Sequence, residues 1–166
     1  MRIQILSVGR RMPAWVDAGF SEYAKRLPPS CTLSLVEIEP AVRGKHGQGG
    51  QPSRAQRERI LEIEGQRLLK ATPPTALVIA LDVRGRSWST EALASELEDW
   101  LASGRDIALL VGGAEGLDER CLARAERRWS LSELTLPHGL VRVVLAEQLY
   151  RAWTILQGHP YHRGAQ

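Results

Sequence analysis

Thr75-Ala-Leu-Val-Ile-Ala-Leu-Asp-Val83 and Asp106-Ile-Ala-Leu-Leu-Val-Gly-Gly-Ala-Glu-Gly116 decide how this chain is read. Each is a short continuous apolar run that passes into a polar or glycine-rich loop, the pattern of a parallel strand buried on both faces. In open α/β sheets the loops that follow such strands are where ligands bind. A third segment, Leu131-Ser-Glu-Leu-Thr-Leu-Pro-His-Gly-Leu-Val-Arg142, packs apolar, bend-forming and chemically active residues into twelve positions. Together the three segments predict a pocket.

Working outward, residues 2 to 8 and 32 to 38 read as further strands, and residues 13 to 27 as a helix opened by proline. Ser53 caps a charged helix that runs to about Ala71. Residues 84 to 89 read as a loop carrying Arg84 and Arg86, after which Thr90 caps a helix with Leu93, Leu97, Trp100 and Leu101 on one face. A helix from Asp118 to about Arg128 follows the glycine loop. The alternation predicts a single α/β domain over residues 1 to 166, with a mostly parallel sheet flanked by helices.

The last helix, residues 140 to 156, is set by its wheel. Leu145, Ala146, Leu149, Trp153 and Leu156 surround Arg142 on one face, with Glu147, Arg151 and Thr154 opposite. An arginine alone on an apolar face near a helix start needs an anion, whether a ligand, a substrate or a carboxylate of the chain itself. The same apolar face, Leu149, Trp153 and Leu156 included, is either core or the interface of a two-fold dimer.

Composition narrows the function classes. The chain has 166 residues, enough for a core without metal or disulfide. Cys31 and Cys121 are far apart and lack metal-ligand spacing, so they read as buried thiols in a reducing compartment. No apolar run is long enough to span a bilayer and the start is no signal peptide, which predicts a cytoplasmic protein without a membrane partner. Residues 1 to 72 hold 12 basic and 7 acidic side chains, the excess that an anionic partner would meet. Residues 40 to 53, with four glycines, two prolines, Arg43, Lys45 and His46, read as a mobile basic loop. No G-x-S-x-G, P-loop or H-E-x-x-H occurs, and the 112 to 116 loop is not a dinucleotide fingerprint, which disfavours common hydrolases and a nicotinamide oxidoreductase. His159-Pro-Tyr-His162 is a poor metal set, so no metal is expected. With Arg163 it offers stacking surfaces, donors and a guanidinium of the kind that single-stranded RNA uses, or else a frayed terminus.

Ile3 to Gly9, Met12-Pro-x-Trp15, the Gly-Gly-x-Glu-Gly-Leu run ending at Leu117, Trp129-Ser-Leu-Ser132, Leu134 to His138, Leu140-Val-Arg142, Glu147 to Trp153 and His159 to Arg163 together resemble the RlmH family, small bacterial SPOUT methyltransferases. The resemblance covers nearly the whole chain in order. It implies an α/β knot fold with a C-terminal trefoil knot, a homodimer, and methyl transfer from S-adenosyl-L-methionine to N3 of a pseudouridine in 23S rRNA of the assembled ribosome. It implies cofactor contacts at Leu81, Gly112, Leu131, Ser132, Glu133, Leu134, Thr135 and Leu136, in a pocket without phosphate ligands because the cofactor has no phosphate. For the chemistry, His138 is a suitable general base or a structural residue fixing the turn, and Arg142 is placed to stabilise negative charge on the base. Arg43, Lys45, Arg151, His159, Tyr161, His162 and Arg163 are the candidate RNA contacts. Ala114 and Gly139 stand where the family pattern has proline, and His46-Gly-Gln-Gly-Gly50 reads as an insertion. The alternative within the same fold is a ribosome-binding protein that has lost catalysis.

Overall fold

The computed structural model describes residues 1–42 and 50–163. Arg43, Lys45, His46 and most of the glycine insertion lie outside the described residues, as do the last three positions. The described chain contains a parallel sheet of five strands, β1 (Arg2–Val8), β2 (Thr32–Ile38), β3 (Leu77–Ser87), β4 (Ile107–Val111) and β5 (Arg127–Ser130), in the order β2-β1-β4-β3-β5. Four helices connect them, α1 (Ala14–Ala24), α2 (Arg54–Ala71), α3 (Thr90–Ser103) and α4 (Glu119–Arg124), and α5 (His138–Leu156) follows β5.

β4 lies in the centre and is buried at every position, which accounts for its unbroken apolar run. Its side chains alternate between two cores. Ile107, Leu109 and Val111 join Phe20 of α1, Leu97 and Trp100 of α3 and Leu145 and Leu149 of α5. Ala108 and Leu110 face the other way, towards Leu68 of α2 and Cys121 of α4. Cys31 and Cys121 are both buried free thiols, as their spacing predicts, and each belongs to a different one of these cores.

Ser53 caps α2 as expected: its hydroxyl accepts from Gln56 N while the Gln56 side chain accepts from Ser53 N, a reciprocal box worth about 1 kcal/mol. Four other expectations need correction. The cap of α3 is Ser89, which accepts from Ala92 N; Thr90 instead donates to Gln148 Oε1 at 2.9 Å. The helix expected to reach residue 128 stops at Arg124, because Glu126 N bonds to Val78 O at 2.8 Å and draws the chain into β5. β3 extends to Ser87, so Arg84 and Arg86 belong to a strand. Thr154 is fully buried and not on an outward face, its hydroxyl donating to Arg151 O at 2.6 Å.

Leu149, a candidate for a dimer face, is fully buried within one chain, while Trp153 and Leu156 are half-buried against the same core. α5 packs on both α1 and α3, which removes most of its surface from solvent. The chain end folds back onto α5 as a 3-10 turn, Pro160–Arg163. Tyr161 meets the Tyr150 ring edge-on at 4.8 Å, and the Arg151 guanidinium lies 4.8 Å from the Tyr161 ring centre. Those contacts hold the tail in place as far as Arg163. No helix among the described residues is long and apolar enough to cross a membrane, and no group of three or more potential ligands among them is placed to hold a metal ion.

Candidate functional site

β3 and β4 are neighbours whose following helices lie on opposite faces of the sheet, α3 on one and α4 on the other. Chains that part in this way leave a crevice beyond the strand ends. Here the crevice is a cleft of about 440 Å³ lined by the middle of β3 (Leu81 to Arg84), the loop after β4 (Gly112 to Leu117), the end of β5 with the segment after it, and the start of α5. The volume lies in the range that holds a small organic cofactor.

Leu81, Gly112, Leu131, Ser132, Leu134, Thr135 and Leu136 all line this cleft, so the structure gathers seven of the eight expected cofactor positions. Glu133 is exposed and is not part of the lining. Sequence reasoning missed Trp129, Ser130 and Val141, which also line it. Trp129 is almost fully buried and stacks on Trp88 at 4.9 Å, anchoring β5 to the sheet. Its signal in the sequence is a lone tryptophan followed by serine, which periodicity alone does not place in a strand.

The glycine loop is crowded by its own backbone. A Cβ on Gly112 would lie 2.3 Å from Gly116 O, and Gly116 adopts a φ of +89° that bends the chain back on itself. Gly112 is therefore required for the turn that shapes the cleft wall, whatever approaches from outside. Glu115 projects from this loop with its side chain mostly buried and pairs with Arg57 at 2.9 Å. Glu64 of α2 supports the loop from behind: its Oε1 accepts from Ala41 N at 3.1 Å, and a Cβ on Gly113 would come within 2.7 Å of its Oε2.

His138 is the first residue of α5, half-buried, and makes no side-chain hydrogen bond to another described residue. It borders the main cleft and also a smaller pocket of about 160 Å³ on the other side of the glycine loop, lined among others by Gly9, Met12 and Glu64. Burial, then the positive charge of Arg142, pushes its pKa below the ordinary imidazole value. The ring is neutral at pH 7 and able to accept a proton.

Arg142, one turn further along, has its anion inside the chain. Its guanidinium donates to Gly9 O at 2.8 Å, Glu37 Oε2 at 2.9 Å and Ser7 Oγ at 3.3 Å, and the side chain is fully buried. It ties α5 to the ends of β1 and β2 and sets the height of His138 above the sheet.

The tail residues sit elsewhere. Arg151 is committed to Glu147, with Nε to Oε1 at 2.8 Å, and Tyr161 donates to the same oxygen at 3.3 Å. Burial and the Glu147 charge push the Tyr161 hydroxyl up to about 12, so it remains a donor. His159 accepts from Tyr161 N at 3.2 Å, and His162 Nδ1 lies 2.7 Å from His159 O. Arg163 ends the 3-10 turn and is exposed. At 1.5 Å per helical residue, Arg151 is roughly 20 Å along α5 from His138. Cleft and tail thus lie at opposite ends of one helix.

The lining is mainly apolar side chains and glycine backbone, and its acidic members, Asp82 and Glu115, are paired with Arg84 and Arg57. Arg84 holds the Asp82 carboxyl below the usual carboxylate range, so Asp82 is ionised.

Residues 1–162 match a family described as "Predicted SPOUT methyltransferase". Three curated proteins named ribosomal RNA large subunit methyltransferase H are similar to the chain over 98% or more of its length. The one from Alkalilimnicola ehrlichii is 60% identical and aligned over 99% of its own length, that from Thioalkalivibrio sulfidiphilus 58% over 99%, and that from Nitrosococcus oceani 53% over 100%. A solved structure titled as a probable methylase family protein from Haemophilus influenzae shares the fold at a TM-score of 0.53 and 13% identity, covering 96% of this chain and 69% of that one. With the family matched along nearly its whole length and relatives more than half identical to it, the chain belongs to the SPOUT methyltransferases, alongside those named ribosomal RNA large subunit methyltransferase H.

Proposed function

We propose that this protein is an rRNA methyltransferase that uses S-adenosyl-L-methionine to methylate N3 of a pseudouridine in 23S rRNA within the assembled ribosome. The observation that carries the reading is the convergence at one cleft of residues 81 to 84 of β3, the loop after β4, the segment after β5 and a neutral, half-buried His138. The names of the relatives are those of an enzyme, and nothing favours the non-catalytic alternative. When bound, the cofactor supplies an activated methyl group on a sulfonium. The chain's own part is positioning and proton transfer. Leu81, Gly112, Leu131, Ser132, Leu134, Thr135 and Leu136 would hold the cofactor. His138 takes the proton from N3 as the nitrogen attacks, which leaves an imidazolium that can return its proton to water. Arg142 acts at one remove. Its hydrogen bonds are spent on Gly9, Glu37 and Ser7, so its contribution is to fix His138 and to keep the imidazole neutral.

The protein works as a cytoplasmic homodimer in this reading. The separation of tail and cleft along α5 supports a site shared between two chains, with His159, Tyr161, His162 and Arg163 of one chain beside the cleft of the other. Trp15 of α1, 58% exposed, adds an apolar contact suited to such an interface. A knot also fits the chain path. After edge strand β5 the chain returns across the ends of β3 and β4, and α5 then docks over the end of β1 through Arg142. Arg43 and Lys45, beyond the described residues, would add RNA contacts. The test is methyl transfer to ribosomes from a strain deleted for the gene, with labelled S-adenosylmethionine and mapping of the modified nucleotide. Incorporation at a single pseudouridine is expected; no incorporation into 23S rRNA overturns the proposal.

A further inference from the structure

On the β3 side of the cleft, the edge of the sheet carries charge that methyl transfer leaves without a role. β5 pairs with β3 through two registers: both Leu81 and Arg86 align with Trp129, so residues 82 to 85 bow outward between them. Gly85 makes the bow possible. A Cβ there would stand 2.7 Å from the carbonyl carbon of Arg128 and from Trp129 N, backbone atoms that cannot yield. The bow sets Arg84 and Arg86 on either side of the point where β3 touches the backbone of Arg128, with Arg127 next to it at the start of β5.

All four arginines are exposed. Arg84 is neutralised by Asp82, to which it donates from both Nε and Nη2. Arg86, Arg127 and Arg128 have no carboxylate within ion-pair distance among the described residues. The nearest acid in sequence, Glu126, is taken by a two-pronged contact with Arg105 at 3.0 and 2.6 Å. Beside these cations stand two large apolar side chains, Val83 and Leu134, 77% and 73% exposed, which belong to the lip of the cleft.

Three guanidinium groups without a carboxylate partner, Arg127 donating only to the Glu126 carbonyl at 3.1 Å, stand on adjacent strands and repel one another until an anion is supplied. Their forked donors match phosphate oxygens, and exposed apolar side chains beside them suit the faces of ribose and base. Resting on the rRNA reading above, we propose that the bowed edge carrying Arg86, Arg127 and Arg128, with Val83 and Leu134 at its side, is a contact surface for the RNA phosphodiester backbone flanking the target nucleotide. It lies on the chain that holds the cofactor, whereas the tail contacts would come from the other chain. Charge on an edge strand also blocks unwanted strand pairing, a role that needs no ribosome.

The experiment measures methyl transfer by the full-length protein against ribosome concentration at several salt concentrations. The variant Arg86→Gln/Arg128→Gln is compared with Lys70→Gln/Arg2→Gln, which removes equal charge at the opposite ends of the strands. At about 0.15 M salt, the rim variant is expected to raise the KM for ribosomes at least fivefold. Its kcat and its affinity for S-adenosylmethionine should stay within twofold of wild type. The plot of log KM against log salt should flatten by about 1.4, two phosphate contacts at about 0.7 each on single-stranded RNA. The control pair should match wild type. An unchanged KM and salt slope in the rim variant, or an equal shift in the control pair, overturns the surface while leaving the rRNA reading intact. Failure of the wild-type protein to methylate ribosomes overturns that reading itself.

Discussion

The two ends of α5 hold the same chemical groups in opposite ways. At its start, Arg142 is fully buried and reaches partners 105 and 133 residues away in sequence, in β2 and beyond β1. Towards its end, Arg151 keeps a little exposure and binds Glu147 one turn back, with Tyr161 closing over both. The first network is part of the sheet's architecture; the second is local and could be removed without disturbing the strands. A residue at the start of the helix therefore affects fold and chemistry together, with His138 as the exception, while the tail end can change function alone.

The first test isolates chemistry at the architectural end. His138→Asn should lower kcat by about 10²- to 10⁴-fold with an unchanged unfolding midpoint. The wild-type rate should fall as pH drops through a pKa below the ordinary histidine value, because only the neutral ring accepts the N3 proton. That acid limb should vanish in the variant. A kcat within threefold of wild type would remove His138 as the base. Next comes Arg142→Met, which leaves Glu37 without its cation and frees α5 from β1. It should cost about 2–4 kcal/mol in urea unfolding, below the usual loss for a broken buried pair because Glu37 is 39% exposed. A loss under 1 kcal/mol would mean that the two ends do not differ in kind.

At the tail end, deletion from Pro160 onward should leave cofactor binding intact and abolish methylation. Mixed in equal amounts with His138→Asn chains, the truncated protein should recover about a quarter of wild-type activity if two chains share the site as proposed, since half the dimers then own one complete site. Full activity of the truncated homodimer would show that the tail has no part in the reaction. Smallest is Tyr161→Phe, which removes the hydroxyl's contacts with Glu147 and Tyr23 and should cost about 0.5 kcal/mol of stability.

Much of this contrast is visible in the primary structure, though unevenly. β3 and β4 are legible because a strand buried on both faces must be apolar throughout, and the glycine loop is legible because few other residues tolerate its turn. The need of Arg142 for an anion also follows from its place on an apolar face. The identity of that anion does not, because Glu37 and Gly9 become its neighbours only once the sheet is assembled. β5 was hidden for a similar reason: residues 119 to 128 hold no glycine or proline, and a hydrogen bond to Val78 ends the helix. Thr154 misleads a helical wheel because α1, α3 and the tail enclose α5 on several sides. The cleft's glycines and leucines could be named in advance, while Trp129, Ser130 and Val141 depend on how β5 and α5 dock.

The two buried cysteines give the molecule an internal pair of clocks. Cys31 lies in the core shared with α1, α3 and α5, Cys121 in the core under α2 and α4, and each is shielded from reagent by a different layer. Burial raises both thiols, that of Cys121 to about 11, so neither carries much thiolate at neutral pH. Alkylation of either must await an excursion that exposes it, and its rate then counts how often that layer lifts. If the α2 and α4 layer opens independently of the layer that carries α5, and more often, Cys121 will be modified ahead of Cys31. If the molecule opens only as a whole, the two rates will coincide, because exposure removes the burial that raises each thiol.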